Sequence, residues 1–531
     1  MKTILWISNY GYNNSYCKVT RVLIRSFLDR YRDQYDVNMF CIGQTHRENF
    51  ASKVSEETTL HPDKIFFLIV NTSEFKTIED HEFMKNYILG LSYFQDLIKE
   101  VKPDLVFTLN DSGPIILQAK MAQSLGFKII PYTTIDHDTL ETNLKLAEFD
   151  FPAVLTPSGH AKPLLENKFK CPVYTLPHII DNSLFHPLEN KSQLRMKWVG
   201  DADAFVVVSL NHNNIRKRLD LLIQAFEKWA EKRKDVRLLL KTDELDKEER
   251  FSAINAPGYD LSKYSHPQVT IIQRKLSLED INEIYNCAHV GLTTTCGEGF
   301  GLTPCEMSLC GVPQLVPNNT SHPWIFGEEY EGLINCQQYP LSVARSFLKV
   351  DDIDNDLICI FKSYQHYDNT TIISENMGPL QTTPGISTIA LSRNRKISLE
   401  LRKNDVLVFE DIESLIKCLD QCIDQTQRVQ VLLNTEMEYM KTLNFDLLFN
   451  KTWPTRKNFV VKKSYIQDYF SFDHGSTGLV SIDHTVELLD RCYRQPKFLQ
   501  RLTEQCKEAI TNKFGPDQVT KTMKDIIDSI D

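Results

Sequence analysis

Short apolar and β-branched runs alternate with amphipathic stretches along most of the chain. Runs of about four to eight such residues indicate buried strands, and apolar residues at helical spacing, such as Val19, Leu23 and Phe27, indicate helices. Strands that alternate with helices are typical of α/β domains with parallel sheets. The predicted strands are residues 3–7, 37–42, 64–70, 104–109, 128–133 and 153–156, and then 205–210, 236–241, 269–272 and 290–294.

The last of these strands leads into the most informative stretch of the sequence. Residues 290–294 end at a glycine-rich turn, GEGFG at 297–301, and a helix is predicted to follow. Thr303 is the predicted N-cap of that helix, and Glu306, three residues later, would close a capping box. Gly311 suits the left-handed position that ends the helix.

A strand, a glycine turn and a helix N-terminus present backbone N–H groups and a positive dipole end to a phosphate. Glu298 and Glu306 would repel a bare phosphate, so they indicate hydroxyl groups attached to it. A sugar linked to a nucleoside diphosphate offers both kinds of partner. Two simpler interpretations stay open: Glu306 only closes the capping box, and Glu298 is a solvated loop residue.

A second candidate binding segment follows the predicted strand at residues 205–210. It begins with Asn211 and contains three consecutive cations, Arg216, Lys217 and Arg218, before a predicted helix. The dipole of that helix and the cationic side chains would act together on a diphosphate. The alternative is a solvated basic turn.

Polar residues also follow predicted strands of the first half. Asp136 and His137 come after residues 128–133, where an open parallel sheet places its ligand contacts. A lone histidine is more often a structural residue, and this alternative stays open. The first strand leads through a loop with Gly11 into a helix, which is the opening of a Rossmann-like unit without GxGxxG.

Length and composition exclude several classes of protein. A chain of 531 residues is too long for one core. Its net charge of −10 argues against general nucleic-acid binding, which needs a broad basic face. Thirteen cysteines without paired spacing favour the reducing cytoplasm. We find neither an apolar run of about 18 residues nor a signal-peptide core, so we expect no transmembrane span, and peripheral membrane contact stays open.

The segment from Glu298 to Glu306, E-GFGLTPC-E, resembles the E-x7-E signature of family 4 retaining glycosyltransferases, which have the GT-B architecture. The resemblance implies an α/β fold with two Rossmann-like domains that face each other across a cleft. His178 stands in the linker where the family frequently has asparagine. The further segments that resemble the family are KPDLVF at 102–107, TPSGHAKPLL at 156–165, the linker at 172–187 and the tail from residue 476.

The resemblance divides the chain into four parts. Residues 1–178 would form the N-terminal acceptor domain, and residues 179–336 the C-terminal nucleotide-sugar domain. Residues 476–531 would supply the helices that complete the GT-B fold. Residues 337–475 have no familiar pattern, and we predict an insertion or an elaborated edge of the second domain.

The resemblance also implies roles for single residues of the cleft. Glu298 would lie beside the transferred sugar, and Glu306 would bind the ribose of the nucleotide. Asp136 or His137 would lie near the sugar as well. Gly11, with Tyr10 and Asn13 beside it, would belong to a loop in the cleft, although a plain turn is equally open.

The diphosphate would bind to the basic loop and the glycine turn. Lys217 matches the family's diphosphate-binding lysine, whereas Asn211 stands at the position of its arginine. Arg216 or Arg218 would therefore supply the second charge. The predicted catalytic residues are Glu298, Lys217, His137 and Asp136, and the predicted donor-binding residues are Asn211, Arg216, Lys217, Arg218, Gly299, Phe300, Gly301, Leu302, Glu306 and Gly11.

These features predict a retaining glycosyltransferase that moves a sugar from a nucleoside diphosphate sugar to a glycan, lipid or other acceptor. Apart from the donor as co-substrate, we expect no cofactor and no nucleic-acid partner. We also expect no metal, because Lys217 and a neighbouring arginine would already neutralise the diphosphate. The acidic pair Asp201 and Asp203 precedes a strand rather than following one, which disfavours a metal role.

Other functions on this scaffold stay open. A sugar-nucleotide epimerase or a phosphorylase could share the fold and would differ in whether a second acceptor is consumed. A non-catalytic protein that binds a sugar nucleotide or a glycan is the third alternative, because a fold alone does not determine function.

Overall fold

A computed structural model describes most of the chain. Gly11 and His137, with Tyr10 and Asn13, lie outside the described residues, so their predicted roles stay predictions. No helix of the described part is long and apolar enough to cross a membrane. The described residues are 1–9, 15–43, 50–69, 91–136, 146–213, 215–243, 261, 264–342, 361–363, 387–392, 407–411, 413–415, 417, 429–434 and 473–530.

The first domain is built on a seven-stranded parallel sheet with the strand order β3-β2-β1-β4-β5-β6-β7. Ile4 and Trp6 pack on one face of this sheet and Leu5 and Ile7 on the other, as the alternation of side chains along a strand requires. The six strands predicted here are confirmed, and β7 is added. The strands are Lys2–Asn9, Tyr35–Gly43, Ile65–Ile69, Leu105–Leu109, Ile130–Tyr132, Val154–Thr156 and Val173–Thr175, and the helices α1 to α5 are Ser15–Tyr31, Phe50–Thr58, Leu91–Val101, Ser112–Ser124 and Ala161–Glu166.

The second domain is built on a six-stranded parallel sheet with the order β10-β9-β8-β11-β12-β13. Along β8, Val206 and Val208 face one apolar layer and Val207 faces the other. The strands β8 to β13 are Phe205–Leu210, Val236–Lys241, Val269–Ile272, Val290–Leu292, Gln314–Pro317 and Leu333–Ile334, and the helices α6 to α10 are Lys191–Val199, Leu219–Ala230, Leu278–Cys287, Leu302–Leu309 and Ser321–Phe326.

In the described part of the chain, two smaller sheets follow the second domain in sequence. Strands β14 (Cys336–Ser342) and β19 (Asp473–Val480) pair antiparallel, and between them four strands form a parallel sheet in the order β15-β18-β16-β17. The predicted boundaries at residues 337 and 475 stay a prediction, because most of that segment lies outside the described residues. The four strands β15 to β18 are Phe361–Ser363, Ser387–Ser392, Leu407–Phe409 and Val429–Asn434.

The C-terminal helices join the two domains. Helices α11 (Ile482–Arg494) and α12 (Pro496–Lys513) pack on the core of the second domain, which also contains Phe514. Helix α13 (Pro516–Ser529) instead buries its apolar face in the core of the first domain, and its Asp528 accepts a 2.6 Å hydrogen bond from the hydroxyl of Tyr35. The prediction that the last helix crosses back to the first domain is confirmed.

Candidate active site in the interdomain cleft

Three neighbouring strands of the second sheet, β8, β11 and β12, deliver polar residues to the cleft. The loop after β8 contains the 3₁₀ turn Ile215–Lys217, the loop after β11 contains Glu298, and the loop after β12 contains Thr320. Because the carboxyl ends of parallel strands share one edge of the sheet, these loops meet. The structure therefore brings together the predicted residues Arg216, Lys217 and Glu298.

Glu298 lies at the centre of this group. Its carboxylate forms an ion pair with Lys217 and lies 3.2 Å from Nη1 of Arg216. Its backbone N–H donates a 2.9 Å hydrogen bond to Oγ1 of Thr320. Burial alone would raise the pKa of Glu298, but Lys217 and Arg216 outweigh it and lower the pKa to about 2. Glu298 is thus a charged, ion-paired carboxylate whose side chain is only 13% exposed, and the interpretation as a solvated loop residue is wrong.

The basic loop is likewise not a solvated turn. The side chain of Lys217 is 10% exposed and that of Arg216 is 25% exposed. Arg218 is buried and forms a two-point ion pair with Asp220, at 2.9 Å and 2.6 Å. The side-chain amide of Asn211 donates to Oγ of Ser209 at 3.1 Å. The structure therefore places Arg216, rather than Arg218, beside Lys217 and the glycine turn.

Asp136 reaches the glycine turn from the first domain. Its Oδ1 accepts a 2.8 Å hydrogen bond from the backbone N–H of Gly299, and its Oδ2 lies 3.4 Å from Nε of Arg216. A Cβ at Gly299 would lie 2.8 Å from Cβ of Thr134, a distance that real side chains do not tolerate. Position 299 is therefore glycine because the first domain approaches the turn so closely.

The helix after the glycine turn begins earlier than predicted. Helix α9 starts at Leu302, and Gly301 occupies the N-cap with a left-handed φ of 89° and no side-chain cap. The predicted N-cap at Thr303 is wrong, because the chain takes a left-handed conformation two residues earlier, at Gly301, which glycine adopts without strain. Gly311 has a φ of 75° directly after the helix, as predicted.

Glu306 does not close a capping box. It is 5% exposed, and its Oε2 accepts a 2.8 Å hydrogen bond from the hydroxyl of Tyr285. Its Oε1 lies 3.6 Å from Nζ of Lys18, which belongs to α1 of the first domain. Burial, followed by the charge of Glu306, raises the pKa of Tyr285. Glu306 thus faces the other domain, with Leu302 beside it in the lining of a small cavity.

Phe300 contributes its backbone to the turn and its side chain to the core. Its ring is 3% exposed and lies 4.8 Å from the ring of His178 and 5.1 Å from that of Phe514. His178 in turn lies 2.8 Å, through Nδ1, from the hydroxyl of Tyr132, and burial lowers its pKa to about 3. His178 of the linker and Phe514 of the C-terminal tail therefore hold the glycine turn in place on the side of the Phe300 ring.

The loop after β12 also belongs to the site, although the sequence analysis did not predict it. Thr320 has a φ of 50°, which is strained for a β-branched residue, and Oγ of Ser321 donates a 3.0 Å hydrogen bond to the carbonyl of Phe300. His322 is 1% exposed, and burial lowers its pKa to about 4. Its Nε2 would lie 3.3 Å from a Cβ at Gly301. The rule that ligand contacts follow parallel strands could have identified this loop.

Two further first-domain residues were missed. Asp111 follows β4 as Asp136 follows β5, and its Oδ1 accepts a hydrogen bond from the hydroxyl of Tyr16 in α1. The same hydroxyl lies 3.4 Å from Oγ1 of Thr134. Desolvation and the nearby Asp136 raise the pKa of Asp111, against the effects of Tyr16 and Arg216. The cleft thus has an acidic, hydroxyl-bearing wall opposite the cations.

The acidic pair before β8 has a structural role. Oδ2 of Asp201 lies 2.8 Å from Nη2 of Arg237, and its Oδ1 accepts hydrogen bonds from the backbone N–H groups of Asp203 and Ala204, both at 3.2 Å. The carboxylate of Asp201 is thereby committed to its own domain. The expectation that this pair holds no metal stays a prediction.

The fold and part of the sequence match known glycosyltransferases. Residues 202–350 match the family model described as Glycosyl transferases group 1. HepE from Anabaena, in complex with UDP and glucose, aligns with a TM-score of 0.51 at 11% identity over 100% of both chains. Sucrose-phosphate synthase from Thermosynechococcus elongatus aligns with a TM-score of 0.55 at 11% identity, over 100% of this chain and 99% of that chain.

A glycosyltransferase from Rickettsia africae aligns with a TM-score of 0.53 at 10% identity, over 100% of this chain and 98% of that chain. At such identities the structural likeness establishes the fold alone. A sequence comparison with curated proteins finds no significant match. The chain therefore has the GT-B fold, and its residues 202–350 match the group 1 glycosyl transferases.

Proposed function

We propose that this protein is a retaining glycosyltransferase that uses a nucleoside diphosphate sugar as donor and needs no metal ion. The observation that carries the proposal is the convergence of Arg216, Lys217 and the glycine turn on Glu298. Two cations and backbone N–H groups suit a diphosphate, and a charged carboxylate suits sugar hydroxyl groups. The family match of residues 202–350 supports the same reaction class.

In the proposed complex, the diphosphate lies between the basic loop and the first turn of α9. The amides from Phe300 to Leu302 bind it together with Arg216 and Lys217, whereas the amide of Gly299 already donates to Asp136. Glu306 accepts the ribose hydroxyls through Oε1, because Tyr285 already holds Oε2. Glu298 lies between the diphosphate contacts and Glu306, and it binds the sugar. Lys217 and Arg216, which pair with Glu298, also contact the diphosphate.

The proposed transfer breaks the bond between the anomeric carbon and the diphosphate oxygen. The electron pair leaves with the diphosphate, while the acceptor oxygen bonds to the carbon and its proton passes to the leaving phosphate. Lys217 and Arg216 stabilise the negative charge at the point where it develops. Asp136, bonded to the amide of Gly299, borders the transferred sugar on the acceptor side.

Donor binding and product analysis test this function. Because HepE was solved with UDP and glucose, UDP-glucose is the first donor to test, followed by other UDP- and GDP-sugars. A donor at 100 times its Kd should add about 2.7 kcal/mol to the free energy of unfolding. Products are then identified by mass spectrometry, and NMR of the new glycosidic bond shows whether the anomeric configuration is retained.

Each alternative has a distinct outcome. A donor that changes its sugar without any acceptor indicates an epimerase, and turnover that depends on inorganic phosphate indicates a phosphorylase. Binding without turnover indicates a sugar-nucleotide-binding protein. If none of the nucleotide sugars shifts thermal unfolding, the proposed function is rejected.

A further inference from the structure

Asp111 lies at the centre of the first-domain wall of the cleft. In the sheet order β2-β1-β4-β5, the strands β1, β4 and β5 are neighbours. The chain after each of them supplies one polar residue of this wall: Tyr16 in the first turn of α1, Asp111 between β4 and α4, and Asp136 after β5. All three belong to the carboxyl-terminal edge of the sheet, where open α/β domains bind their ligands.

The simplest structural explanation for Asp111 does not hold. It stands at the N-cap of α4, where an aspartate normally accepts a hydrogen bond from an amide of the first turn. Here its side chain makes no such bond. Its Oδ1 instead accepts a hydrogen bond from the hydroxyl of Tyr16. The carboxylate is thus held in the cleft by a residue from another element.

Asp111 also differs from its neighbour Asp136. Both oxygens of Asp136 are engaged by the second domain, through Gly299 and Arg216. Asp111 is exposed to the cleft, and among the described residues its only side-chain hydrogen bond is to Oδ1. In the part of the chain that the structure describes, the second carboxylate oxygen has no hydrogen-bond partner, and it is the atom that we assign to a ligand.

The chemistry of this wall restricts the ligand. A carboxylate accepts hydrogen bonds only and repels a diphosphate, so its partner is a hydrogen-bond donor, and in the proposed reaction the donors of the acceptor are hydroxyl groups. The hydroxyls of Tyr16 and Thr134, 3.4 Å apart, add further donors and acceptors beside it. Several adjacent polar groups of this kind suit the neighbouring hydroxyls of a polyol.

We propose that Asp111, oriented by Tyr16, binds the acceptor substrate by accepting a hydrogen bond from one of its hydroxyl groups. The acceptor presents a sugar or another polyol at this position. Asp111 is then a determinant of acceptor specificity, separate from the donor-binding groups of the second domain. This inference rests on the proposed glycosyltransferase function.

The test compares Asp111→Asn with wild type in an acceptor competition. UDP-glucose, or whichever nucleotide sugar shifts thermal unfolding, is incubated with glycerol, D-glucose or methyl α-D-glucopyranoside. Mass spectrometry gives the ratio of transfer to the polyol over hydrolysis by water. Asparagine has nearly the shape of aspartate, and the side chain makes no cap hydrogen bond that the change could remove, so we expect the fold to be preserved. Asp150→Asn, at an exposed ion pair with Lys128, is the matched control.

We expect Asp111→Asn to lower the ratio by about 10- to 100-fold, as the loss of a hydrogen bond to a charged group would. Tyr16→Phe should lower it less, because the carboxylate remains but is no longer oriented. Donor affinity should stay at its wild-type value in both variants, because neither side chain belongs to the proposed donor site. A purely structural role would lower donor affinity and the unfolding midpoint together, with no selective loss of transfer to the polyol.

Other outcomes separate the inference from the function on which it rests. An unchanged ratio in Asp111→Asn overturns the role of Asp111. Wild-type hydrolysis without transfer to any of the three polyols overturns the polyol assignment. A wild-type protein that neither binds nor turns over a nucleotide sugar rejects the proposed function, and the acceptor role of Asp111 with it.

Discussion

The two walls of the cleft are opposite in charge although they have similar architecture. Each is the carboxyl-terminal edge of a parallel sheet. The second-domain wall presents Arg216, Lys217 and the amides of a glycine turn, whereas the first-domain wall presents Asp111 and Asp136. The same supersecondary unit thus presents cations in one domain and carboxylates in the other.

The difference follows from what each loop contributes to the edge of its sheet. In the second domain, Glu298 is paired with two cations, Arg216 and Lys217, whereas Glu306 lies apart from them beside Lys18 and Tyr285. In the first domain, desolvation and Asp136 raise the pKa of Asp111. The walls touch where Asp136 meets Gly299 and Arg216. The proposed function places the donor on the cationic wall and the acceptor on the acidic wall.

Removal of the Lys217 side chain from the cationic wall should have the largest effect on turnover. We expect Lys217→Ala to slow turnover by about 10²- to 10³-fold, as other losses of preorganised charge stabilisation do. Steady-state kinetics with saturating donor measure it. Lys228→Ala, which removes an exposed lysine paired with Asp483, is the control and should be unaffected. Near-normal turnover in Lys217→Ala would show that Arg216 suffices for the leaving group.

Glu306→Gln should weaken the same wall at its nucleotide end. The amide replaces a carboxylate that would accept ribose hydroxyls, at a cost of about 1.5–3 kcal/mol in donor binding. Its oxygen can still accept the hydrogen bond from Tyr285, so the free energy of unfolding should fall much less. Titration calorimetry with the donor measures the affinity. An unchanged Kd would limit Glu306 to its contacts with Tyr285 and Lys18.

Two glycines at the ends of α9 separate a role in the binding site from a role in ending a helix. Gly301 and Gly311 flank α9, with φ angles of 89° and 75°. Alanine is strained at both, by about 1–2 kcal/mol. At Gly301 the new Cβ would also lie 3.3 Å from Nε2 of His322, whereas it meets nothing within 4 Å at Gly311. Thermal unfolding should therefore show the larger loss for Gly301→Ala, and only this variant should also lose donor affinity.

The smallest expected effect is that of a chelator. Because Arg216 and Lys217 already face the proposed diphosphate site, a divalent cation at the same oxygens would be redundant. We predict that transfer continues in excess EDTA at its normal rate. Activity that EDTA abolishes and manganese restores would remove both this expectation and the phosphate role of Lys217.

The sequence predicts the sheets and the second-domain wall well, because both depend on local patterns. Apolar runs mark the strands, and the basic loop and glycine turn each lie within a short segment, so Lys217 and Glu298 could be named from their positions. The predicted start of α9 was wrong because two residues suit the N-cap position. Thr303 is a good N-cap by type, but the left-handed Gly301 ends the turn first.

The first-domain wall was only partly predictable, since its contacts are long-range. Asp136 could be named because it follows a strand, and the same rule applied to β4 would have given Asp111. Lys18 and Tyr285, which contact Glu306, are 288 and 21 positions from it in sequence by their numbers. No local pattern relates such residues, because the contact with Lys18 depends on how the two domains face each other and the contact with Tyr285 depends on how α8 packs against α9.

Donor titration of two variants tests most directly whether the donor and the acceptor bind to opposite walls of the cleft. Titration calorimetry with the nucleotide sugar that stabilises the wild type compares Lys217→Ala with Asp111→Asn. We predict that Lys217→Ala weakens donor binding, since it removes a cation from the proposed diphosphate site, and that Asp111→Asn binds the donor with wild-type affinity. Equal loss of affinity in both variants, or loss in Asp111→Asn alone, would contradict the assignment of donor and acceptor to opposite walls.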